Sequence, residues 1–201
     1  MLQSINFKEY EKNINNYEII KELNHTNYSD VFLACDKSSK VEQYAIKVLK
    51  PQPEDPMHEE RIKREIEIMI SCQHPTIAKI IGYSKTDFSG AKNTSIITKY
   101  CPLGSLNEII NKVKLGLCDF IYDNTKRQII LIGVAKAMMF LHQHRIIHRD
   151  LKPENVLIND NCEPLLTDFN LSKMCDINQS MKQSAQYGSP YTMAPEIFAK
   201  K

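Results

Sequence analysis

The chain has 201 residues, of which 42% are hydrophobic and 25% are charged, and its formal net charge is +2. This length suits one domain or two small ones, and the apolar fraction is sufficient for a packed core. The small net charge provides no bulk attraction for nucleic acid or an anionic membrane, so we expect neither as a partner.

Six cysteines are scattered along the chain without a C-x-x-C pair or the spacing of a zinc site. Such cysteines are typical of reduced thiols. The first ten residues lack the apolar run of a signal peptide, and no apolar stretch approaches the roughly 20 residues of a membrane span. We therefore expect a cytoplasmic location, with the nucleus as the alternative.

Strand-like patterns dominate the first part of the chain. Three short runs predict strands between polar turns: 17–23, 31–35 and 44–49. Prolines in 51–56 then prevent a helix from continuing. Residues 59–71 predict a helix, because four apolar side chains recur at helical spacing: Ile62, Ile66, Met69 and Ile70.

The pattern changes from strands to helices further along the chain. Two more strands are predicted at 77–83 and 95–100, and a linker follows at 101–104. Two helices are then predicted, at 105–114 and 125–144. The second carries an apolar stripe: Ile129, Ile132, Ala135, Met139 and Leu141. A β-rich half with one helix, followed by a helix-rich half, indicates a two-lobed α+β protein.

One segment concentrates the residue types of phosphoryl transfer. Residues 148–155 read HRDLKPEN and place a carboxylate, an amine and an amide in one loop. A carboxylate can accept the proton of an attacking hydroxyl, and a cation can neutralise the moving phosphoryl group. Mg²⁺ prefers oxygen ligands, which Asn155 and Asp168 would supply.

Four segments, in this order along the chain, resemble the motifs of the protein kinase family: 44–47 (YAIK), 148–155 (HRDLKPEN), 168–170 (DFN) and 194–196 (APE). One such short match would mean little, but four in the family's order make chance a poor explanation. The resemblance extends over about 17–201.

The resemblance implies a two-lobed protein-kinase-like fold of the α+β class. Residues 1–16 would be an N-terminal extension, and 17–98 a β-rich N-lobe with one main helix. A hinge at 99–104 would lead into a partial C-lobe at 105–201. Because the family continues with several large helices beyond the Ala-Pro-Glu motif, we expect the helical C-lobe to be incomplete.

The resemblance also implies roles for four charged residues and for the two cofactors, ATP and Mg²⁺. Lys47 would hold the α- and β-phosphates of ATP and pair with Glu65 on the first long helix. Asp150 would be the catalytic base, and Lys152 would contact the γ-phosphate. The two oxygen ligands named above would bind the Mg²⁺.

A nucleotide pocket and an internal apolar column follow from the same resemblance. The residues expected to bind the nucleotide are Asn24, Ser29, Val31, Ala45, Thr98, Lys99, Cys101 and Leu157. Among them, Thr98 would guard the pocket behind the adenine, and the linker around Tyr100 would hydrogen-bond the adenine edge with its backbone. The expected column consists of Met69, Ile80, His148 and Phe169.

The chain departs from the family where glycines are expected. Asn24, Thr26 and Ser29 replace the glycines of the phosphate loop, and Asn170 replaces the glycine after Phe169. Glycine adopts positive φ easily and lets backbone approach a phosphate; asparagine tolerates this region, whereas β-branched threonine does not. We therefore expect weaker or altered contacts to the phosphates.

The substrate class is suggested by two stretches. Residues 152–154 (KPE) and 188–191 (GSPY) resemble the serine/threonine type, which implies a protein substrate with a hydroxyl acceptor. Arg149 resembles the arginine that pairs with a phosphate on the activation segment. The candidate acceptors there, for an upstream kinase or autophosphorylation, are Ser180, Ser184 and Tyr187.

Two functions remain open at this point. The first is an ATP-dependent protein serine/threonine kinase, favoured because every charged catalytic position is present. The alternative is a catalytically weak or inactive pseudokinase, or a truncated fragment, that acts as a binding or scaffold module. The replaced glycines and the absent C-terminal helices favour that alternative.

Overall fold

The computed structural model describes residues 6–118, 122–175 and 190–198. The chain divides into two compact units. The first comprises Met1–Gln73 and Lys79–Tyr100, and the second comprises His74–Ala78 and Cys101–Lys201. The first unit is built on a sheet with one long helix and the second is mainly helical, which confirms the predicted α+β class.

The first unit contains a five-stranded antiparallel sheet in the order β1-β2-β3-β5-β4. Its strands are β1 (Tyr17–His25), β2 (Ser29–Asp36), β3 (Gln43–Leu49), β4 (Ile80–Ser84) and β5 (Ser95–Lys99). A short helix, α1 (Phe7–Tyr10), precedes the sheet, and a long helix, α2 (His58–Ser71), follows β3. The predicted helix at 59–71 is thus confirmed.

The two faces of this sheet differ in burial. One face packs into a core cluster of seven residues: Ile14, Tyr17, Ala34, Tyr44, Ile46, Val48 and Ile97. Burial alternates from residue to residue in β3: Ile46 is fully buried, while its neighbours Ala45 and Lys47 are partly exposed. Alternate residues of a strand point to opposite faces, so the second face of β3 carries the residues that remain accessible.

The residues before β1 cover the outer edge of the sheet at β4. Glu11 forms a parallel bridge with Tyr83, and the Lys12 N–H donates to the Tyr83 carbonyl at 2.8 Å. Lys85 also pairs with the Glu11 carboxylate at 2.8 Å. An uncovered edge strand is a site for unwanted pairing, and this segment occupies it.

The strand predicted at 77–83 begins three residues later in the structure. Ile77 pairs instead with Leu166, and the Ala78 N–H donates to the Leu166 carbonyl at 2.9 Å, both in the second unit. The prediction was wrong here because the residues from 77 onward form one uninterrupted strand-like run, so the sequence shows no boundary before β4. Periodicity alone does not show that its first residues pair with a different unit.

The second unit begins its helical part with two capped helices. These are α3 (Leu106–Lys114) and α4 (Asn124–Gln143), whose first turns are capped by the side chains of Ser105 and Asp123. Short strand pairs follow: β6 (Ile146–Ile147) with β9 (Lys173–Met174), and β7 (Val156–Ile158) with β8 (Pro164–Leu166). A last short helix, α5, spans Pro195–Phe198.

Helix α4 buries a different face from the predicted stripe. The buried residues are Ile130, Gly133, Ala137 and Leu141, whereas Ile129, Ile132 and Met139 are 43%, 56% and 57% exposed. Of the predicted stripe only Leu141 is buried. The helix is apolar on two sides, so its sequence does not indicate which side meets the core.

In the described parts of the chain, no helix combines the length and apolarity needed to cross a bilayer.

Gly133 of α4 packs closely against Pro164 of β8, and this contact allows a test of the packing. A Cβ at Gly133 would overlap the Pro164 ring, with Pro164 Cδ only 2.8 Å away. Alanine gains about 1 kcal/mol in a helix interior, but overpacking costs about 1–3 kcal/mol. We expect Gly133→Ala to destabilise the chain in denaturant unfolding and to stabilise it in a Pro164→Ala background. A loss of stability in both backgrounds would refute this contact as the cause.

Candidate functional site

The strand register gathers several of the predicted nucleotide-binding residues on one face of the sheet. Val31 lies opposite Lys47, and Thr98 lies opposite Ala45. Ala45 and Lys47 are two residues apart, so they share a face and their cross-strand partners share it with them. Asn24 also lies opposite Val31. This face is the partly exposed one, and the apolar core cluster occupies the other.

Lys47 and Glu65 form an ion pair inside the first unit. The Lys47 ammonium lies 3.0 Å from the Glu65 carboxylate, whose side chain is only 3% exposed. Burying a carboxylate is costly unless a cation compensates it. The pair therefore joins the middle of α2 to β3 and holds the lysine ammonium above the accessible face, as the sequence pairing predicts.

The remaining predicted adenine-binding residues lie at the end of β5 and in the second unit. The Thr98 hydroxyl donates to the Ala45 carbonyl at 3.3 Å, and Lys99 lies opposite Tyr44 at the end of the sheet. In the second unit, Cys101 is buried. Leu157, in β7, is partly exposed and forms a bridge with Ser105.

The loop after β6 brings two predicted catalytic residues and one predicted metal ligand into contact. The Lys152 ammonium lies 2.7 Å from Asp150 Oδ2. The Asn155 amide nitrogen donates to the same oxygen at 3.0 Å and to the Asp150 backbone carbonyl at 2.8 Å. Asp150 and Asn155 are both buried. A carboxylate is thus oriented by an amine and an amide within six residues of chain.

The backbone ties the segment before Asp168 to this loop. The Thr167 N–H donates to the Asn155 carbonyl at 3.0 Å, which holds the two predicted metal ligands in neighbouring segments. Arg149 and Asp168 have φ angles of 69° and 65°. Left-handed backbone at residues other than glycine costs free energy and concentrates at functional sites.

His148 is a buried structural residue of the loop. Its Nε2 lies 3.0 Å from the Thr167 carbonyl, and the Asp150 N–H lies 3.3 Å from its Nδ1. Nε2 therefore carries the proton and Nδ1 accepts, which is the pattern of a neutral ring. Burial lowers the pKa of His148 below its ordinary value. Phe169, fully buried, packs on the ring at a centroid distance of 5.2 Å.

A pH dependence of stability follows from the lowered pKa of His148. Below its ordinary pKa of 6.5 the unfolded chain binds a proton that the folded chain resists. This contribution to stability is therefore complete above pH 6.5 and is lost as the pH falls below it. We expect the wild-type unfolding free energy to decline more steeply below pH 6.5 than that of His148→Gln; parallel profiles would contradict the assignment.

The residues present fit a magnesium ion bound through phosphates. Both N–H bonds assigned to the Asn155 amide point towards Asp150, which leaves its carbonyl oxygen outside these bonds as a possible ligand. No group of three or more His, Cys, Asp or Glu side chains forms a metal cage among the described residues. Mg²⁺ usually takes one or two protein ligands and completes its shell with phosphates and water.

None of the residues that replace the expected glycines has left-handed backbone. The described non-glycine residues with positive φ are Lys40, Arg145, Arg149, Cys162 and Asp168. Asn24, Thr26, Ser29 and Asn170 are therefore not in the left-handed region, and the weaker or altered contacts to the phosphates expected at these positions stay a prediction. Side-chain bonds shape the β1–β2 turn instead, and they involve Lys50 and Gln52, which sequence motifs did not identify.

Some predicted features lie outside the described residues. They are the candidate phosphorylation sites Ser180, Ser184 and Tyr187, together with Gly188 and Ser189 of the peptide-positioning stretch. The predicted apolar column is described within each unit only: Met69 and Ile80 are buried in the first, and the His148–Phe169 contact lies in the second.

Comparisons with known proteins agree with the sequence motifs. The family model for the protein kinase domain matches residues 17–201. The chain is 32% identical to human serine/threonine-protein kinase 10 over 90% of its length. It is 32% identical to Aurora kinase A-A of Xenopus laevis over 79%, and 30% identical to serine/threonine-protein kinase pakF of Dictyostelium discoideum over 78%. The matches cover 17%, 37% and 12% of those relatives.

Proposed function

This chain belongs to the protein kinase family, and on that premise we propose that it transfers the γ-phosphate of Mg-ATP to a serine or threonine hydroxyl of a protein. The observation that carries the proposal is the contact of Asp150 with both Lys152 and Asn155. A decayed site would be expected to lose at least one of these groups, because nothing in the fold alone requires all three.

Asp150 is suited to act on the acceptor hydroxyl. Its carboxylate is buried and held in one orientation by the Asn155 amide. A carboxylate fixed in this way can accept the proton of a hydroxyl as the oxygen attacks phosphorus. Lys152, 2.7 Å from the same oxygen, is partly exposed at 24%. Its ammonium therefore has room to stay close to the negative charge that develops on the transferred phosphoryl group.

Lys47 and the two oxygen ligands would hold the cosubstrate. Lys47 is oriented by Glu65 and would contact the α- and β-phosphates. Bound Mg²⁺ would neutralise charge on the phosphate oxygens, and Asn155 with Asp168 would hold it. The adenine would meet the partly exposed sheet face that carries Val31 and Ala45, where small and branched apolar side chains favour a flat ring.

The acceptor class rests on residues 152–154 and on the names of the similar kinases. Lys152-Pro153-Glu154 resembles the serine/threonine type, and the relatives named above include serine/threonine-protein kinases. We propose protein substrates with serine or threonine acceptors.

We also propose a cytoplasmic or nuclear location, on the basis of the cysteines. All six lie in described parts of the chain, and no two form a disulfide.

Thermal unfolding with and without Mg-ATP tests the proposal, with Asp168→Ala as the matched variant. Ligand at about 100 times its Kd should stabilise the wild-type chain by about 2.7 kcal/mol. The shift should be smaller in the variant. Incubation of the wild-type chain with [γ-³²P]ATP and a mixture of Ser/Thr peptides should label peptide. A cooperative transition without any nucleotide shift would contradict the proposal.

The alternative function, a scaffold without transfer activity, is favoured by one structural observation. The β1–β2 turn is closed by its own side chains, so it offers less backbone to a phosphate than a glycine-rich loop does. Binding of nucleotide without label transfer to any peptide in the same experiment would favour this alternative over the kinase.

A further inference from the structure

The turn between β1 and β2 is bonded to itself through Thr26. The Thr26 hydroxyl donates to the Ser29 carbonyl at 2.9 Å. The same oxygen accepts from the Tyr28 N–H at 3.2 Å and from the Ser29 N–H at 3.0 Å. The Thr26 N–H in turn donates to the Ser29 carbonyl at 3.0 Å. Three backbone N–H groups of the turn are therefore engaged within it.

This engagement matters because successive backbone N–H groups form the natural cradle for an anion. Glycine-rich loops present such groups to phosphates with no side chain between them. Here the hydroxyl of a side chain occupies the N–H groups of Tyr28 and Ser29. A phosphate oxygen would have to displace that hydroxyl before it could accept from either group.

A second set of bonds ties the turn to the end of β3. The Lys50 ammonium donates to the Thr26 carbonyl at 2.7 Å, and the Lys50 N–H donates to the Tyr28 carbonyl at 2.9 Å. The Gln52 amide donates to the Asn27 carbonyl at 3.2 Å. The turn is thus held from outside at three consecutive carbonyls, which restricts its opening.

Lys50 also compensates an acid at the start of β2. Its ammonium lies 2.7 Å from Asp30 Oδ1, and His25 Nδ1 lies 2.8 Å from the same oxygen. A carboxylate one residue beyond the turn would repel a nucleotide phosphate if it were unpaired. The lysine therefore both holds the turn and neutralises its nearest acid.

We propose that Thr26, supported by Lys50, is a positioning residue that keeps the phosphate-facing turn closed and lowers the affinity for phosphate relative to nucleoside. The inference rests on the proposed nucleotide-binding function. Phosphate recognition then depends on Lys47 and the metal-binding residues, and the turn covers the nucleotide without donating to it. Removal of the hydroxyl, at constant side-chain volume, should release two donors to the phosphates.

The closed turn can be tested without nucleotide by amide hydrogen exchange on the whole chain. We expect protected N–H groups at Tyr28 and Ser29 in the wild type and in Thr26→Ser, which keeps the hydroxyl. Exchange should be at least about tenfold faster in Thr26→Val, which keeps the volume and branching. Lys50→Met should also accelerate it, whereas Lys40→Met, at an exposed lysine, should not. Equal exchange in Thr26→Val and wild type would overturn the closed turn.

The consequence for recognition is measured by the ratio of the Kd for adenosine to the Kd for Mg-ATP. We expect this ratio to rise about tenfold in Thr26→Val, because hydrogen bonds to charged groups are the stronger ones. Thr26→Ser should keep the wild-type ratio. An unchanged or lower ratio in Thr26→Val would overturn the inference while both ligands still bind. Failure of both ligands to bind any variant would sink the nucleotide-binding proposal and this inference with it, whatever the exchange data show.

Discussion

Replacement of Asp150 by asparagine should lower the turnover number for phosphoryl transfer by a factor of about 10²–10⁴. The change preserves the size of the side chain but removes its ability to accept the proton of the acceptor hydroxyl. The Kd for Mg-ATP, measured by thermal shift, should change much less than the turnover number. The loss would then be one of chemistry and not of nucleotide binding.

Glu154→Gln is the matched control for this variant. It makes the same carboxylate-to-amide change in the same loop, but Glu154 is exposed. We expect its turnover number to stay within about twofold of the wild type, since surface substitutions away from contacts have small effects. Equal rates for Asp150→Asn and the control would remove Asp150 from the chemistry.

The second large effect is expected at the Lys47–Glu65 pair. Lys47→Met leaves the Glu65 carboxylate, only 3% exposed, without the ammonium that lies 3.0 Å away. Loss of one partner of a buried pair costs several kcal/mol, and Lys47 is itself 23% exposed, so we expect a loss of about 2 kcal/mol in denaturant unfolding. The stabilisation by Mg-ATP should be lost in the same variant.

The two partners should not be equivalent. In Glu65→Gln the lysine keeps access to water, so the unfolding free energy should fall by less than about 1 kcal/mol. The double variant Lys47→Met/Glu65→Met should recover most of the stability lost in Lys47→Met, because two apolar side chains need no compensation. A double variant less stable than Lys47→Met would show that the cost comes from packing and not from the buried charge.

The sheet face that carries Ala45 and Lys47 shows why part of the site could be predicted from sequence. Strand alternation places Ala45 and Lys47 on one face and Ile46 on the other wherever the strand pairs. The contacts of the 148–155 loop are similarly local, since Asp150, Lys152 and Asn155 lie within six residues. Local geometry of this kind depends little on the rest of the fold.

Other features depend on partners far along the chain. Helix α4 is apolar on two sides, and its packing against β8, through Pro164, decides that Gly133 and Ala137 face the core. The neutral state of His148 depends on the Thr167 carbonyl, 19 residues away. Lys50 reaches the β1–β2 turn across 24 residues.

By itself, the sequence determined the family, the order of the main strands and helices from β1 to α4, and the residue types of the phosphoryl-transfer loop, because these follow from local spacing and side-chain chemistry. The tertiary structure decided which face of α4 is buried, where the segment at Ile77 pairs, and how the turn at Thr26 is closed. Those outcomes depend on which distant surface offers a void, a hydrogen-bond partner or an opposite charge. The apolar periodicity of one segment does not show where another segment of the chain will pack.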